Sequence, residues 1–161
     1  MQVVNVVNAI CVTYIIIFTS ISYALYMPQD DVVELNSTNF EIVLKDPNVW
    51  IIEFYAPWCR QCLKFMPKYR TLAKNLRGLI RVGAINGDLY PELIKQYNVK
   101  AYPTIKIFGI YKNSPLDFKG KRTVANLQRA ALIELKKLIL FGGINTGIKK
   151  TSHAGRREKF L

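Results

Sequence analysis

Cysteine is scarce in this chain, with three residues in 161, and histidine occurs once. So few cysteines exclude a disulfide-dense scaffold. Acidic side chains are outnumbered, 11 Asp+Glu against 23 Lys+Arg, for a formal net charge of +12. No charged side chain of either sign precedes Asp30. Disorder throughout is excluded by a hydrophobic content of 50%, since chains that stay unfolded are poor in apolar residues. The length suits one globular domain and leaves too little for a second.

The uncharged start has its own logic. Ala9–Ile21 is an apolar core, and Ser22-Tyr23-Ala24 follows as a small-x-small pattern. This is the layout of a secretory signal peptide spanning residues 1–24, cut after Ala24, although no Lys or Arg stands near its start. An uncleaved signal anchor is the rival reading and the one route to a membrane. Cleavage removes Cys11 and leaves Cys59 and Cys62 as the only cysteines. A single close pair delivered to an oxidising compartment points to redox exchange. Asn36-Ser37-Thr38 is an N-glycosylation sequon, with Asn36 as acceptor. The same residues also read as a helix cap, with Thr38 and Glu41 forming a capping box.

Beyond residue 30, short strands and helices alternate. Strands are expected at Val32–Leu35, Val49–Tyr55, Ile80–Ile85, Thr104–Phe108 and Leu116–Phe118. Helices are expected at Asn39–Leu44, from Cys59 to about Arg77 with Pro67 interrupting it, and at Leu89–Tyr97 opened by Asp88. A last helix runs from Val124 to about Leu140, capped by Thr123 and stopped by Gly142-Gly143. Its Val124, Leu127, Ala131, Leu135 and Leu138 recur at helical spacing and form a buried stripe. The pattern specifies an α/β fold with a mixed central sheet flanked by helices. The domain is placed at 25–141. The stretch 142–161, with Lys149, Lys150, Arg156, Arg157 and Lys159, reads as a basic disordered tail.

The positive charge does not indicate nucleic acid. Arg60, Lys64, Lys68, Arg70, Lys74 and Arg77 spread around one helix, and no nucleic-acid-reading motif accompanies them. The leader also directs the chain away from nucleic acid.

Chemistry concentrates at Trp58-Cys59-Arg60-Gln61-Cys62, between a buried strand and a helix. A helix N-terminus presents free N–H groups and the positive end of the dipole, which stabilise a thiolate at Cys59. Arg60 adds a full charge beside it. Cys62, one turn inward, can close a disulfide with Cys59. The outer sulfur attacks a substrate and the inner one resolves the mixed disulfide. A structural disulfide or a zinc half-site are the alternatives. Zinc needs two more ligands, and apart from carboxylates only the remote His153 is on offer.

The run from Glu53 to Cys62 (EFYAPWCRQC) resembles the active-site region of the protein disulfide isomerase family. Tyr102-Pro103-Thr104 and Phe118–Thr123 (FKGKRT) are similar to two further marks of its catalytic, thioredoxin-like domain. The match covers roughly Asp31 to Phe141. It implies a thioredoxin-like fold and four catalytic roles. Cys59 is the attacking thiol and Cys62 the resolving one. Glu53, set among apolar neighbours, is the buried proton acceptor for Cys62, its pKa raised by burial. Arg122 approaches the Cys62 thiolate during turnover. Trp58, Tyr102 and Pro103, the last a cis-proline, line the groove that takes an extended peptide.

The family's Cys-Gly-His-Cys is here Cys59-Arg60-Gln61-Cys62. Gln61 cannot ionise as the family's histidine does, so Arg60 and Gln61 together tune the redox poise. The implied activity is thiol–disulfide exchange or isomerisation on unfolded or folding polypeptides, with glutathione or a second oxidoreductase as exchange partner and no cofactor or metal. The alternative is a redox-weak, peptide-binding chaperone module. The implied location is the lumen of the endoplasmic reticulum. The chain ends Lys159-Phe160-Leu161 without a Lys-Asp-Glu-Leu-type signal, which leaves secretion open.

Overall fold

The structure, a computed structural model, describes residues 24–142. The expected leader ahead of Ala24 and the basic tail beyond Gly142 lie outside the described residues. Among the described residues, no helix is long and apolar enough to cross a membrane.

Among the described residues, five strands form one sheet: β1 (Val33–Leu35), β2 (Trp50–Tyr55), β3 (Arg81–Asn86), β4 (Thr104–Phe108) and β5 (Leu116–Asp117). Their spatial order is β1-β3-β2-β4-β5. β3 runs parallel to both β1 and β2, whereas β4 runs antiparallel to β2, and β5 to β4. The sheet is therefore mixed, as the alternation of elements predicts, and β4–β5 is the late hairpin. β2 sits in the middle with all six residues buried, which explains why its run is apolar apart from Glu53.

Among the described residues, four α-helices cover the sheet: α1 (Glu41–Lys45), α2 (Arg60–Leu76), α3 (Pro91–Gln96) and α4 (Val124–Lys137). Side chains alternate along β2. Ile51 and Tyr55 join a cluster with α2 and α4 residues such as Phe65, Leu72, Leu127 and Ala131. Ile52 and Phe54 join the opposite cluster with Val43 of α1 and Leu93 of α3. Glu53 shares the side of Ile51 and Tyr55 by the same alternation.

Several expectations change in detail. Pro67 lies inside α2 without ending it. Its missing N–H deprives the carbonyl of Leu63, and Leu63 is on the exposed side, where water can serve that acceptor. The Thr38–Glu41 capping box does not form: α1 begins after Phe40, with no side-chain cap. Instead the Asn36 carboxamide oxygen accepts from the Thr38 N–H, the Thr38 hydroxyl and the Asn39 N–H at 2.8–2.9 Å. A short polar side chain closing its own turn competes well with a distant helix end. α3 starts at Pro91 rather than Leu89, because proline suits the first helical position. Thr123 does cap α4, its hydroxyl oxygen accepting from Asn126 N–H at 3.2 Å. The expected helix end at about Leu140 falls within a π-helical turn, Leu138–Gly142, rather than in α-helix.

The segment ahead of β1 belongs to the core. Tyr26 is 2% exposed and packs its ring edge-on to Tyr55 at 5.9 Å between centroids. It also lies 5.6 Å from the Tyr69 ring.

Candidate active site

β2 ends at Tyr55, and four residues later Cys59 occupies the N-cap of α2. Cys59 and Cys62 are disulfide-bonded, with Cα atoms 5.2 Å apart. Cys62 is fully buried and Cys59 is 7% exposed. The Cys62 N–H donates to Cys59 Sγ at 3.1 Å. After reduction this donor and the helix dipole both favour the Cys59 thiolate. Arg60 and Gln61 are exposed on the first turn of the helix.

A cleft of about 240 Å³ opens beside Cys59, lined by Trp58, Val99, Lys100, Ala101 and Tyr102. Trp58 is 70% exposed, a large cost in apolar surface unless something covers it. Its indole N–H donates to Asp88 Oδ2 at 2.7 Å, and its ring meets Tyr102 at 6.1 Å and 71°. Asp88 therefore steadies the cleft wall rather than opening α3. Tyr102 can lean over the loop because residue 87 is glycine: a Cβ there would overlap the Tyr102 hydroxyl. The Tyr102–Pro103 peptide bond is cis and Pro103 is buried.

Glu53 is fully buried, paired across the sheet with Ala84 and Ile105. Burial pushes its pKa up to about 8, opposed in part by a hydrogen bond from Tyr26 and the charge of Arg122, and reinforced by Glu34. The Tyr26 hydroxyl donates to Glu53 Oε2. Oε1 is buried and has no hydrogen-bond partner among the described residues. Arg122 is exposed, and its Nη2 donates to the Pro103 carbonyl at 2.8 Å. In this oxidised state it thus braces the cis-proline loop, with its charge felt at Glu53.

Residues 31–132 match the thioredoxin family. The chain belongs to the thioredoxin family. Its thioredoxin domain is 49% identical over 117 residues to a protein disulfide-isomerase A6 homolog of Drosophila melanogaster, covering 72% of this chain and 27% of that protein. The human protein disulfide-isomerase A6 is 42% identical over 144 residues, covering 85% of this chain and 33% of that protein. Among solved structures, the first thioredoxin domain of mouse protein disulfide-isomerase A4 superposes with a TM-score of 0.59 at 26% identity, covering 80% of this chain and 86% of that one. The resemblance to protein disulfide isomerases read from the EFYAPWCRQC run is thereby borne out. The chain spans about a quarter to a third of the length of these curated relatives.

The thioredoxin fold brings Cys59, Cys62, Trp58, Tyr102 and Pro103 to one end of the sheet, with Glu53 below them in β2. Three participants escaped sequence reasoning. Tyr26 adjoins the expected cleavage site and reads as the end of an apolar leader. Glu34 alternates with Val33 and Leu35 like any half-exposed strand residue. Asp88 matches a helix cap so well that its bond to Trp58 leaves no trace in the sequence. Among the described residues, no group of three or more His, Cys, Asp or Glu side chains could hold a metal ion.

Proposed function

We propose that this thioredoxin domain catalyses thiol–disulfide exchange on unfolded or folding polypeptides in the secretory pathway, in the lumen of the endoplasmic reticulum. The observation that carries the reading is the Cys59–Cys62 disulfide at the head of α2, beside a cleft and above a buried carboxyl. In the reduced domain, Cys59 thiolate attacks a substrate disulfide. A Cys59–substrate disulfide forms and one substrate sulfur leaves as thiolate. Either that thiolate attacks a new sulfur, rearranging the substrate, or Cys62 loses its proton to Glu53 and attacks Cys59. The second route closes the Cys59–Cys62 disulfide, reduces the substrate by two electrons, and leaves its second sulfur as thiolate. Run backwards, the same steps oxidise the substrate.

The cleft supports peptide docking, with Trp58 and Tyr102 as aromatic walls and the Tyr102–Pro103 backbone as an edge for extended chain. Arg122, now on the Pro103 carbonyl, stands ready to turn toward a Cys62 thiolate during turnover. Glutathione or another oxidoreductase resets the pair.

The test is reactivation of a scrambled-disulfide substrate. The domain should restore activity and Cys59→Ser should abolish it. A domain that binds the substrate but leaves its disulfides unchanged would be a chaperone-like module. Equilibration in graded glutathione buffers then fixes the direction. A midpoint of about −180 to −210 mV supports oxidation and isomerisation, and one near about −270 mV supports reduction.

A further inference from the structure

Tyr26 touches two carboxylates at once, the buried Glu53 and the half-buried Glu34. Its hydroxyl donates to Glu53 Oε2, and its backbone N–H donates to Glu34 Oε1 at 3.3 Å. The same Glu34 oxygen accepts from the Tyr55 hydroxyl at 3.0 Å, and that hydroxyl accepts from the Leu25 N–H at 3.0 Å. Each carboxylate thus has one tyrosine hydroxyl, and the residue bridging them comes from the segment ahead of β1.

We propose that Tyr26 is a positioning residue for the exchange reaction: its hydroxyl fixes the Glu53 carboxylate through Oε2 and leaves Oε1 as the oxygen that trades a proton with Cys62. The inference rests on the reading of Glu53 as the proton acceptor for Cys62.

The physical argument is one of accounting for each oxygen. A carboxylate has two oxygens, and a mobile one presents either to a neighbour. With Oε2 occupied by a phenol, only the buried and unpartnered Oε1 can receive a proton. A hydrogen bond to the charged form also favours ionisation, against the burial that opposes it. Packing alone would be served by phenylalanine, since the ring of Tyr26 already fills its place against Tyr55 and Tyr69. The hydroxyl is what the carboxylate requires. The groups whose charge or hydrogen bond reaches Glu53 are Tyr26 from the N-terminal segment, Glu34 on β1, Tyr55 on β2, Tyr69 on α2, and Arg122 ahead of α4. β3 and β4 present Ala84 and Ile105. Among these, Tyr26 is the group that donates to Glu53.

The experiment uses the full chain and follows closure of Cys59–Cys62 from the mixed disulfide with glutathione, across the pH range around neutrality. Removing a donor from the charged form raises the carboxyl pKa. Tyr26→Phe should therefore move the midpoint of the profile up by about one pH unit and slow closure at neutral pH by about tenfold. Glu53→Gln should remove that inflection. Tyr55→Phe is the control: it takes the same group from the same cluster but acts on Glu34, making that carboxyl harder to ionise. Its profile should stay or move down. Replacing Tyr26 by 3-fluorotyrosine, which keeps ring and hydroxyl but donates more strongly, should lower the midpoint, and serves if the phenylalanine variant folds poorly. If Glu53→Gln removes the inflection while both Tyr26 variants match the parent, the inference is overturned and the Glu53 reading stands. If Glu53→Gln leaves the profile unchanged, both fall. A Tyr55→Phe shift as large and upward as that of Tyr26→Phe would reduce Tyr26 to a packing role and overturn the inference.

Discussion

The two faces of the sheet do different work with similar materials. On the side of α1 and α3, Phe40, Phe54, Tyr97 and Phe108 pack ring against ring at 5.2–6.0 Å, with Val43, Ile52 and Ile85 filling between them. Its one buried charge, Lys106, reaches Asp117 on the exposed edge strand. On the side of α2 and α4, the core is just as well buried, yet it holds the redox pair, Glu53 and three tyrosines. One face lowers the free energy by excluding water. The other gives up some of that gain to keep a carboxyl dry, and burial there raises its pKa to about 8.

Substitutions on the two faces should separate stability from chemistry. Phe108→Ala on the packing face removes a fully buried ring and should cost about 3–5 kcal/mol in a urea melt. Exchange rates measured on the folded protein should be unchanged; a folded variant with lost activity would break the division. Glu53→Gln should do the reverse. Exchange at neutral pH should fall on the order of 10²-fold, the usual weight of a general acid–base group. Stability should move the other way. The Glu53 pKa is raised from 4.5 to about 8 on folding, so its contribution is intact below pH 4.5 and is lost as pH climbs through about 8. The wild-type melting temperature should decline across that window by more than that of Glu53→Gln, with a difference on the order of a few kcal/mol at its alkaline end. Equal slopes would mean that Glu53 is not the titrating group. The smallest effect is expected at the cleft wall. Asp88→Asn weakens a charge-assisted bond to an exposed indole and should raise KM for a peptide substrate by about threefold to tenfold, with kcat and melting temperature unmoved. A loss of stability instead would assign Asp88 to the fold rather than to the cleft.

Much of the redox face was legible before any coordinates. The Cys59–Cys62 spacing, the apolar run around Glu53 and the Thr123 cap are local signals, and each reports an interaction between residues close in the chain or a uniform environment. Glu53 reads as buried because Trp50 to Tyr55 contains no other polar side chain that could claim solvent. Thr38 and Asp88 misled for the same reason that local signals usually succeed. Both are good capping types next to a helix, and the competing partner was either the Asn36 turn or a tryptophan from another loop. Tyr26 was illegible, since nothing near it in sequence hints that its hydroxyl meets a strand residue 27 positions away.

By itself the sequence determined the class of elements, the position of the thiols at a helix head and the dryness of β2, because periodicity, capping and hydrophobicity act over a few residues. Only the tertiary structure decided which strand lies beside which, that the segment ahead of β1 closes over Glu53, and that Arg122 rests on the Pro103 carbonyl. Those are contacts between distant parts of the chain. Their free energy depends on desolvation and direction at a shared site, and neither exists until the sheet and helices have come together.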